Sequence, residues 1–276
     1  MNQKFSFRRW RLLVAKHVAE NKKRYLISML AQIALLFMWF VFVMKTDRHD
    51  PLAPGLQEIT FYFSLFLVGP FYATQFFKDI HSRTKGINYI LLPASTLEKL
   101  LCGLFFTLVF FLLAFTAVFY IADALAVASA NAFHPSYTGA LPQNGVNKAE
   151  ITNVFSMRTS EKNPAFYFIL LFTAVQSAAL LGSAYFASYS YIRTMIALFV
   201  LFLLIFLVES FFLTRLLPHG SINENFTAFR FSTSDNKMMQ VNLPLWLGAI
   251  VSFLIKYAFQ PVYWLATYYR LKEKEV

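Results

Sequence analysis

The sequence predicts an all-α integral membrane protein with six transmembrane helices, an amino-terminal amphipathic interfacial helix and both termini in the cytoplasm. Of its 276 residues, 58% are hydrophobic and only 14% are charged, too few polar side chains to cover a water-soluble fold of this size. Six apolar runs are long enough to cross a bilayer. Lysine and arginine residues concentrate on one side of these runs, as the positive-inside rule requires.

The interfacial helix is predicted over residues 5–20. Phe7, Trp10, Leu13 and Val14 recur at helical spacing, whereas most of the arginines in this segment lie off that face. A helix with this pattern lies in the membrane surface, with its apolar side in the lipid and its cations in water. A plain cytoplasmic extension of the first span is the alternative.

Span lengths follow from the thickness of the bilayer. The first run has about 20 residues and rises about 30 Å as a helix, which matches the hydrocarbon core. Residues 165–213 would make one helix of about 75 Å, so they must break at the polar stretch 188–194. The six predicted spans cover residues 25–44, 59–77, 100–121, 165–187, 194–213 and 243–266.

The distribution of cations predicts the orientation. Eight lysine and arginine residues occupy the first 24 positions. Six spans place both termini on one side, which then holds 16 of the 25 cations, against eight in the longer loops of the other side. Both termini are therefore predicted to be cytoplasmic. The loops 122–164 and 215–242 could carry short helices or strands but no independent domain, so residues 1–276 are treated as one transmembrane domain.

Several classes of function are disfavoured by the sequence. The net charge of +11 is better explained by topology and anionic lipid headgroups than by nucleic acid, because the cations border apolar spans. The sequence has no Gly-x-x-x-x-Gly-Lys-Ser/Thr loop, no His-Glu-x-x-His motif and no Gly-x-Ser-x-Gly motif. We therefore predict no catalytic, metal-binding or cofactor-binding residues.

The link between the second and third spans, residues 78–99, is the most informative polar segment. A helix is predicted to continue out of the membrane from Phe76 to Lys85 and to stop at Gly86. Ser95 is a predicted N-cap, and Glu98, three residues later, would complete a capping box for the third span. This pattern predicts a folded link; a solvated connector followed by a capped helix is the alternative.

Three predicted cytoplasmic stretches resemble the permease subunits of ABC-2-type exporters, in particular compact six-span permeases common in Bacteroidetes. They are Phe77-Lys-Asp-Ile with Leu91-Leu-Pro-Ala-Ser-Thr-Leu-Glu-Lys99, the segment 182–194, and the tail 269–276. The resemblance implies a bacterial inner-membrane protein that works as two permease copies, with a separate ABC ATPase subunit on the cytoplasmic face. Membrane lipids are the remaining predicted partners.

In that family the link after the second span couples the permease to the ATPase. Carried over, the resemblance makes seven residues of this chain candidates for the ATPase contact: Asp79, Ile80, Arg83, Lys85, Ile87, Asn88 and Tyr89. Two other functions stay open. One is a membrane scaffold or assembly subunit that does not transport, and the other is an integral membrane enzyme acting on lipid.

Two ionisable residues within predicted spans are further candidates. Lys256 is predicted near the middle of the sixth span, where a charge usually faces protein or a wet cavity; the alternative is that it snorkels to the membrane surface. Glu209, in the fifth span, is its candidate partner. At 1.5 Å per residue the two differ in depth by about 13 Å, so a direct pair requires a sixth span that starts late.

Overall fold

The computed structural model describes residues 5–46, 52–133, 149–156, 164–216, 220–222, 228–232, 238–242 and 244–275. Within these ranges, five helices are long and apolar enough to cross a membrane, and they lie within residues 7–46, 54–76, 96–132, 164–185 and 190–208. The coarse prediction of a multi-pass helical membrane protein is therefore confirmed.

The helices are α1 Phe7–Thr46, α2 Pro54–Phe76, α3 Arg83–Ile90, α4 Thr96–Leu104, α5 Phe111–Phe133, α6 Pro164–Tyr185, α7 Ser190–Leu216, α8 Leu245–Tyr257 and α9 Phe259–Glu275. A 3-10 turn, Lys78–His81, precedes α3, and a π-helical turn, Phe105–Phe110, joins α4 to α5. Three short strands, β1 Gly220–Ile222, β2 Ala228–Ser232 and β3 Met238–Asn242, form an antiparallel sheet in the order β1-β2-β3.

α1 is one continuous helix of 40 residues. It is about 60 Å long, so it includes both the predicted interfacial helix and the first span. α1 packs along α4 and α5 over most of its length, and the interfacial position of residues 5–20 stays a prediction. Trp10 meets Phe105 at one end, and Phe40 meets Phe119 further along, with ring centroids 5.7 and 6.1 Å apart. α1 and the continuous α4–α5 helix therefore run in the same direction.

The third span is longer than predicted, because α4, the π turn and α5 follow one another without a break. A π turn leaves a backbone carbonyl without its usual helical partner. The Gln176 side chain on α6 donates to the carbonyl of Thr107 in this turn, at 2.7 Å. Gln176 is buried, and it makes a hydrogen bond between two helices at the π turn.

The core of the bundle is rich in phenylalanine. Phe61 on α2 meets Phe115 and Phe119 on α5 edge-to-face, with centroids 5.5 and 5.0 Å apart. On α6, Phe172 approaches Gly69 so closely that a Cβ at that glycine would lie 2.5 Å from its ring. These contacts hold α2 between α5 and α6.

The predicted sixth span is two helices rather than one. α8 ends at Tyr257, and α9 begins at Phe259 after a bend at Ala258. α9 runs beside α6 in the same direction, since Gln260 donates to the carbonyl of Leu170 and Trp264 donates to the Ser177 hydroxyl. α9 is therefore the helix that packs beside the fourth span. It starts later than the predicted sixth span.

The loop before α6 is anchored to α2 by a buried glutamine. The Gln57 amide donates to the carbonyls of Leu52 and Glu150 at 3.1 and 3.0 Å, and its oxygen accepts from the Thr152 N–H at 2.9 Å. Tyr62 adds a hydrogen bond to the Val154 carbonyl. Three of the four bonds bring segment 149–156 onto the end of the bundle opposite the start of α1.

Candidate functional site

Both chain ends meet the start of α4 in a set of polar side chains that we call the terminal cluster: Ser6, Arg9, Thr96, Glu98, Lys99 and Glu275. The end of the bundle that carries it is called the terminal end below. The cluster lies where α1 begins, α4 begins and α9 ends, so it joins three of the predicted cytoplasmic segments.

Glu98 caps two helices at once. Its carboxylate accepts from the Ser95 N–H at 2.9 Å while the Ser95 hydroxyl accepts from the Glu98 N–H, which confirms the predicted capping box of α4. The other carboxylate oxygen accepts from the Ser6 N–H at 2.7 Å, at the start of α1. A carboxylate at the start of a helix is also stabilised by the positive end of the helix dipole. The side chain is 0% exposed.

Arg9 completes the amino-terminal half of the cluster. Its guanidinium donates to one Glu98 oxygen from two nitrogens, at 3.0 and 3.2 Å. Sequence reasoning assigned Glu98 to the capping box but missed this ion pair. A pair of residues separated by 89 positions leaves no local pattern that could reveal it.

Lys99 holds the carboxyl-terminal half. Its ammonium is 2.8 Å from a Glu275 oxygen, and its side chain is only 2% exposed. The Thr96 hydroxyl donates to the other Glu275 oxygen. The same ammonium lies 5.4 Å from the centre of the Tyr89 ring on α3. One buried cation thus connects the tail, the start of α4 and the link.

His81 ties the link to the α6–α7 turn and to the tail. Its Nε2 is 3.0 Å from the Ser183 carbonyl, which can only accept, so Nε2 carries the proton. Its Nδ1, 3.0 Å from the Lys274 ammonium, accepts a hydrogen bond in the neutral ring. Burial lowers the pKa of His81, and the Lys274 and Arg270 charges lower it further against the opposing hydrogen bond to Ser183.

We expect the stability of the terminal end to fall on acidification. A pKa lowered by folding means that the unfolded chain binds the His81 proton more readily, so this stability is present above pH 6.5 and is lost as the pH falls below it. Thermal unfolding in detergent at pH 7.5 and 5.5 should show a smaller pH dependence for His81→Gln than for the wild type. Equal dependence would contradict this role.

The structure divides the seven predicted contact residues. Ile80 is 8% exposed and packs with Phe77, Leu100 and Leu271, so it serves the core rather than a partner surface. Tyr89 also packs against that core. Of the seven, Asp79, Ile87 and Asn88 have exposed side chains. The side chains of Arg83 and Lys85 lie outside the described part of the structure, so their role stays a prediction.

The link is compact because Gly86 permits it. The prediction that Gly86 stops a helix was wrong, since it lies inside α3. A Cβ at this position would be 2.5 Å from the Ile80 carbonyl oxygen. Only a glycine lets α3 fold back this closely onto the preceding 3-10 turn. α3 is therefore a short helix folded onto the 3-10 turn rather than an extended connector.

Lys256 does not lie at the middle of a span. Its ammonium is 5.4 Å from the ring centre of Tyr167, the fourth residue of α6. This places it near the end of the bundle opposite the terminal end. The depth predicted for it was wrong because the crossing segment starts later, after α8. The side chain of Glu209, on α7, is outside the described part, so its pairing with Lys256 stays a prediction.

Asp123 is a buried ionisable residue that sequence reasoning missed. It was assigned to a loop beginning at residue 122, but α5 continues to Phe133 and buries Asp123 completely. Neither carboxylate oxygen has a hydrogen-bond partner among the described residues. Ala122, Ala126 and Ala130 surround this stretch of helix with small side chains in the core. Burying an isolated carboxyl group in an apolar helix costs free energy, and for this reason such a residue is a candidate for a functional role.

No family model matches the chain, and neither a curated protein nor a solved structure matches it. Within the described ranges, no group of three or more His, Cys, Asp or Glu side chains could hold a metal ion. The candidate site is therefore defined by its own geometry: a terminal end in which buried polar contacts fasten the link to both chain termini.

Proposed function

We propose that the chain is the membrane permease subunit of an ABC-type exporter, driven by a separate ATPase subunit that binds the terminal end. In this proposal the terminal end faces the cytoplasm of a bacterial inner membrane, α9 completes the sixth crossing and a second permease copy completes the transporter. The observation that carries the proposal is that α3 is folded onto the preceding 3-10 turn and packs on the bundle through Tyr89.

Force transmission explains why this observation matters. A push on a flexible loop is lost, whereas a push on a helix packed against the bundle moves the helices behind it. Tyr89 of α3 packs on the core that includes Phe77, Ile80 and Leu271, and its ring lies beside the Lys99 ammonium, so it connects α3 to the start of α4 and the end of α9. Displacement of α3 would therefore tilt several spans together.

The exposed face of α3 has the character of a contact surface. Ile87 is 59% exposed and Leu91, which follows α3, is 74% exposed, although both are apolar. Neighbouring Asp79 and Asn88 are exposed polar residues. Apolar side chains ringed by polar ones, at an end of the bundle predicted to lie in water, are typical of a protein interface.

A second copy or lipid must cover α7. Residues from Phe199 to Val208 are exposed around the helix, as in a segment that meets hydrocarbon or another helix on most sides. The apolar surface of α1 is similarly open at Leu26, Ile27 and Leu30. These surfaces support a membrane setting for either the permease or the scaffold alternative.

We expect Ile87→Asp to abolish co-purification of an ABC ATPase subunit with the full chain expressed in a bacterial host that encodes its partner. A charge in the middle of a small apolar contact leaves that charge desolvated, which costs several kcal/mol. The matched control is Ile151→Asp, an equally exposed isoleucine at the opposite end of the bundle, which should leave the complex intact. Mass spectrometry identifies the co-purifying subunit.

The alternatives give different outcomes in the same experiment. A scaffold or assembly subunit would purify with membrane proteins but no ATPase, and a lipid enzyme would turn over lipid without ATP. ATP-dependent export from reconstituted vesicles that is lost with Ile87→Asp supports the permease. Retention of the ATPase by the Ile87→Asp variant would refute the assignment of α3.

A further inference from the structure

A long cavity of about 850 Å³ lies between α1, α2, α3 and the α4–α5 helix. α1 packs along α4 and α5 on one side of it and meets α2 on the other through the Trp39–Thr60 hydrogen bond and the Tyr25–Tyr72 and His17–Phe76 ring contacts. One stripe of α1 lines it from Leu13 to Leu35, and these 22 steps span about 33 Å along the helix. The volume is within the range of about 300–1,000 Å³ that small-molecule sites occupy, but its shape is elongated.

Its lining changes from charged to apolar along that length. Near the terminal end, the polar lining residues are Lys16, His17, Glu20, Asn21, Arg24 and Asp79, beside apolar ones such as Leu13, Phe76 and Leu92. Toward the middle of the bundle, they are Leu35, Val68, Phe110, Ala114, Phe115 and Val118. A charged end joined to a long apolar channel is the polarity profile of an amphiphile, with one headgroup and one hydrocarbon chain.

Arg24 selects the chemistry of the headgroup. Lys16 is paired with Glu20 at 3.7 Å, but Arg24 has no carboxylate within ion-pair distance among the residues that the structure describes. It immediately precedes the first apolar run, at the depth of lipid headgroups. A guanidinium at that depth presents several donors in the geometry that matches a phosphate.

Gln32 supplies an independent observation further along the cavity. It lines the same channel eight residues beyond Arg24, about 12 Å along α1. Its Nε2 is buried and has no hydrogen-bond partner among the described residues. A buried donor of this kind costs about 1–3 kcal/mol unless it is satisfied. An ester or ether oxygen between a headgroup and its chain would satisfy it.

We propose that this cavity is a binding site for a phosphate-bearing membrane amphiphile. The phosphate lies at Arg24 and the hydrocarbon chain extends past Gln32 toward Phe115; in an occupant with an ester or ether oxygen beyond its phosphate, that oxygen accepts from Gln32. The proposal does not depend on the permease function, because any membrane protein with this cavity would bind such a ligand.

Dodecyl phosphate and dodecyl maltoside test the headgroup, since they share one chain and differ in the phosphate. The full chain, held in dodecyl maltoside micelles, is titrated with dodecyl phosphate, and native mass spectrometry counts the molecules retained. We expect one dodecyl phosphate per chain, and an affinity lowered about tenfold by Arg24→Gln, the effect of losing one charged hydrogen bond. Lys23→Gln is the matched control, because this neighbouring cation does not line the cavity.

A second variant tests the chain end of the cavity. Ala114→Phe fills the apolar channel, and it should abolish retention while circular dichroism shows the wild-type helix content. Equal losses with Arg24→Gln and Lys23→Gln, or full retention by a folded Ala114→Phe, would overturn the proposal. Displacement of dodecyl phosphate by an equal concentration of inorganic phosphate would also overturn it, by showing a site for the free anion alone.

Discussion

Glu98→Ala is expected to lower the midpoint of thermal unfolding by about 6–12 °C. The substitution removes the acceptor of the Ser6 and Ser95 N–H groups and leaves the Arg9 guanidinium without its carboxylate. Breaking a buried ion pair from one side costs about 3 kcal/mol after allowance for the partial exposure of Arg9. In a chain of this length, each kcal/mol shifts the midpoint by about 2–4 °C.

Three further variants separate the contributions. Glu98→Gln keeps a side-chain acceptor but loses the charge, so its unfolding midpoint should lie between those of the wild type and Glu98→Ala. Arg9→Met/Glu98→Met removes both charges and should recover part of the loss, since no charge stays unpaired. Glu273→Ala breaks only an exposed pair with Arg270 and should change stability by less than about 1 kcal/mol. If Glu98→Ala and Glu273→Ala had equal unfolding midpoints, the stabilising role of Glu98 in the terminal cluster would be contradicted.

The Glu98→Ala variant should also be cut more readily by protease at the start of α1. Glu98 and the contacts around Trp10 hold the first turns of α1, so loss of the Glu98 carboxylate should expose these turns to protease. Limited proteolysis in detergent should therefore cut Glu98→Ala near Arg8, Arg9 or Arg11 sooner than Glu273→Ala. This readout distinguishes a local release of α1 from a general loss of stability.

The parts of the fold that local patterns encode were predicted from the sequence. Apolar length predicted the first five membrane helices, because a bilayer imposes one minimum length on every span. The Ser95 to Glu98 spacing predicted the capping box, because that interaction is made within one helical turn. The polar stretch near Ser188 predicted the break between α6 and α7, which the structure places at residues 186–189.

The parts that depend on distant contacts were not predicted. No pattern near Glu98 shows that Arg9 reaches it, and none near Lys99 shows Glu275. The depth of Lys256 was wrong because hydropathy does not distinguish one bent span from α8 followed by α9. Asp123 was missed because the charge suggested a loop, whereas helix α5 continues through it. In each case packing between elements decided the outcome, and a single sequence does not encode such packing locally.

Gly182→Ala is expected to be one of the most damaging single-methyl additions in the chain. A Cβ at Gly182 would lie 1.9 Å from the Thr194 hydroxyl oxygen and 2.9 Å from two of its carbon atoms. Thr194 is buried and its hydroxyl donates to the Ser190 carbonyl, so it has no free direction in which to move. α6 and α7 must therefore separate at the turn, at a cost of about 1–3 kcal/mol or more.

A double variant makes the expectation specific to this contact. Thr194→Ala removes the atoms that the new methyl would strike, so Gly182→Ala/Thr194→Ala should unfold at a higher temperature than Gly182→Ala alone. Gly55→Ala is the matched control, since no atom lies within 4 Å of a Cβ there; in a helix it should be neutral or stabilising by up to about 1 kcal/mol. If Gly182→Ala behaved like Gly55→Ala, the close approach of α6 to α7 would be wrong. Because Ser183 in this turn accepts from His81, separation of the two helices should also weaken the hold on the link.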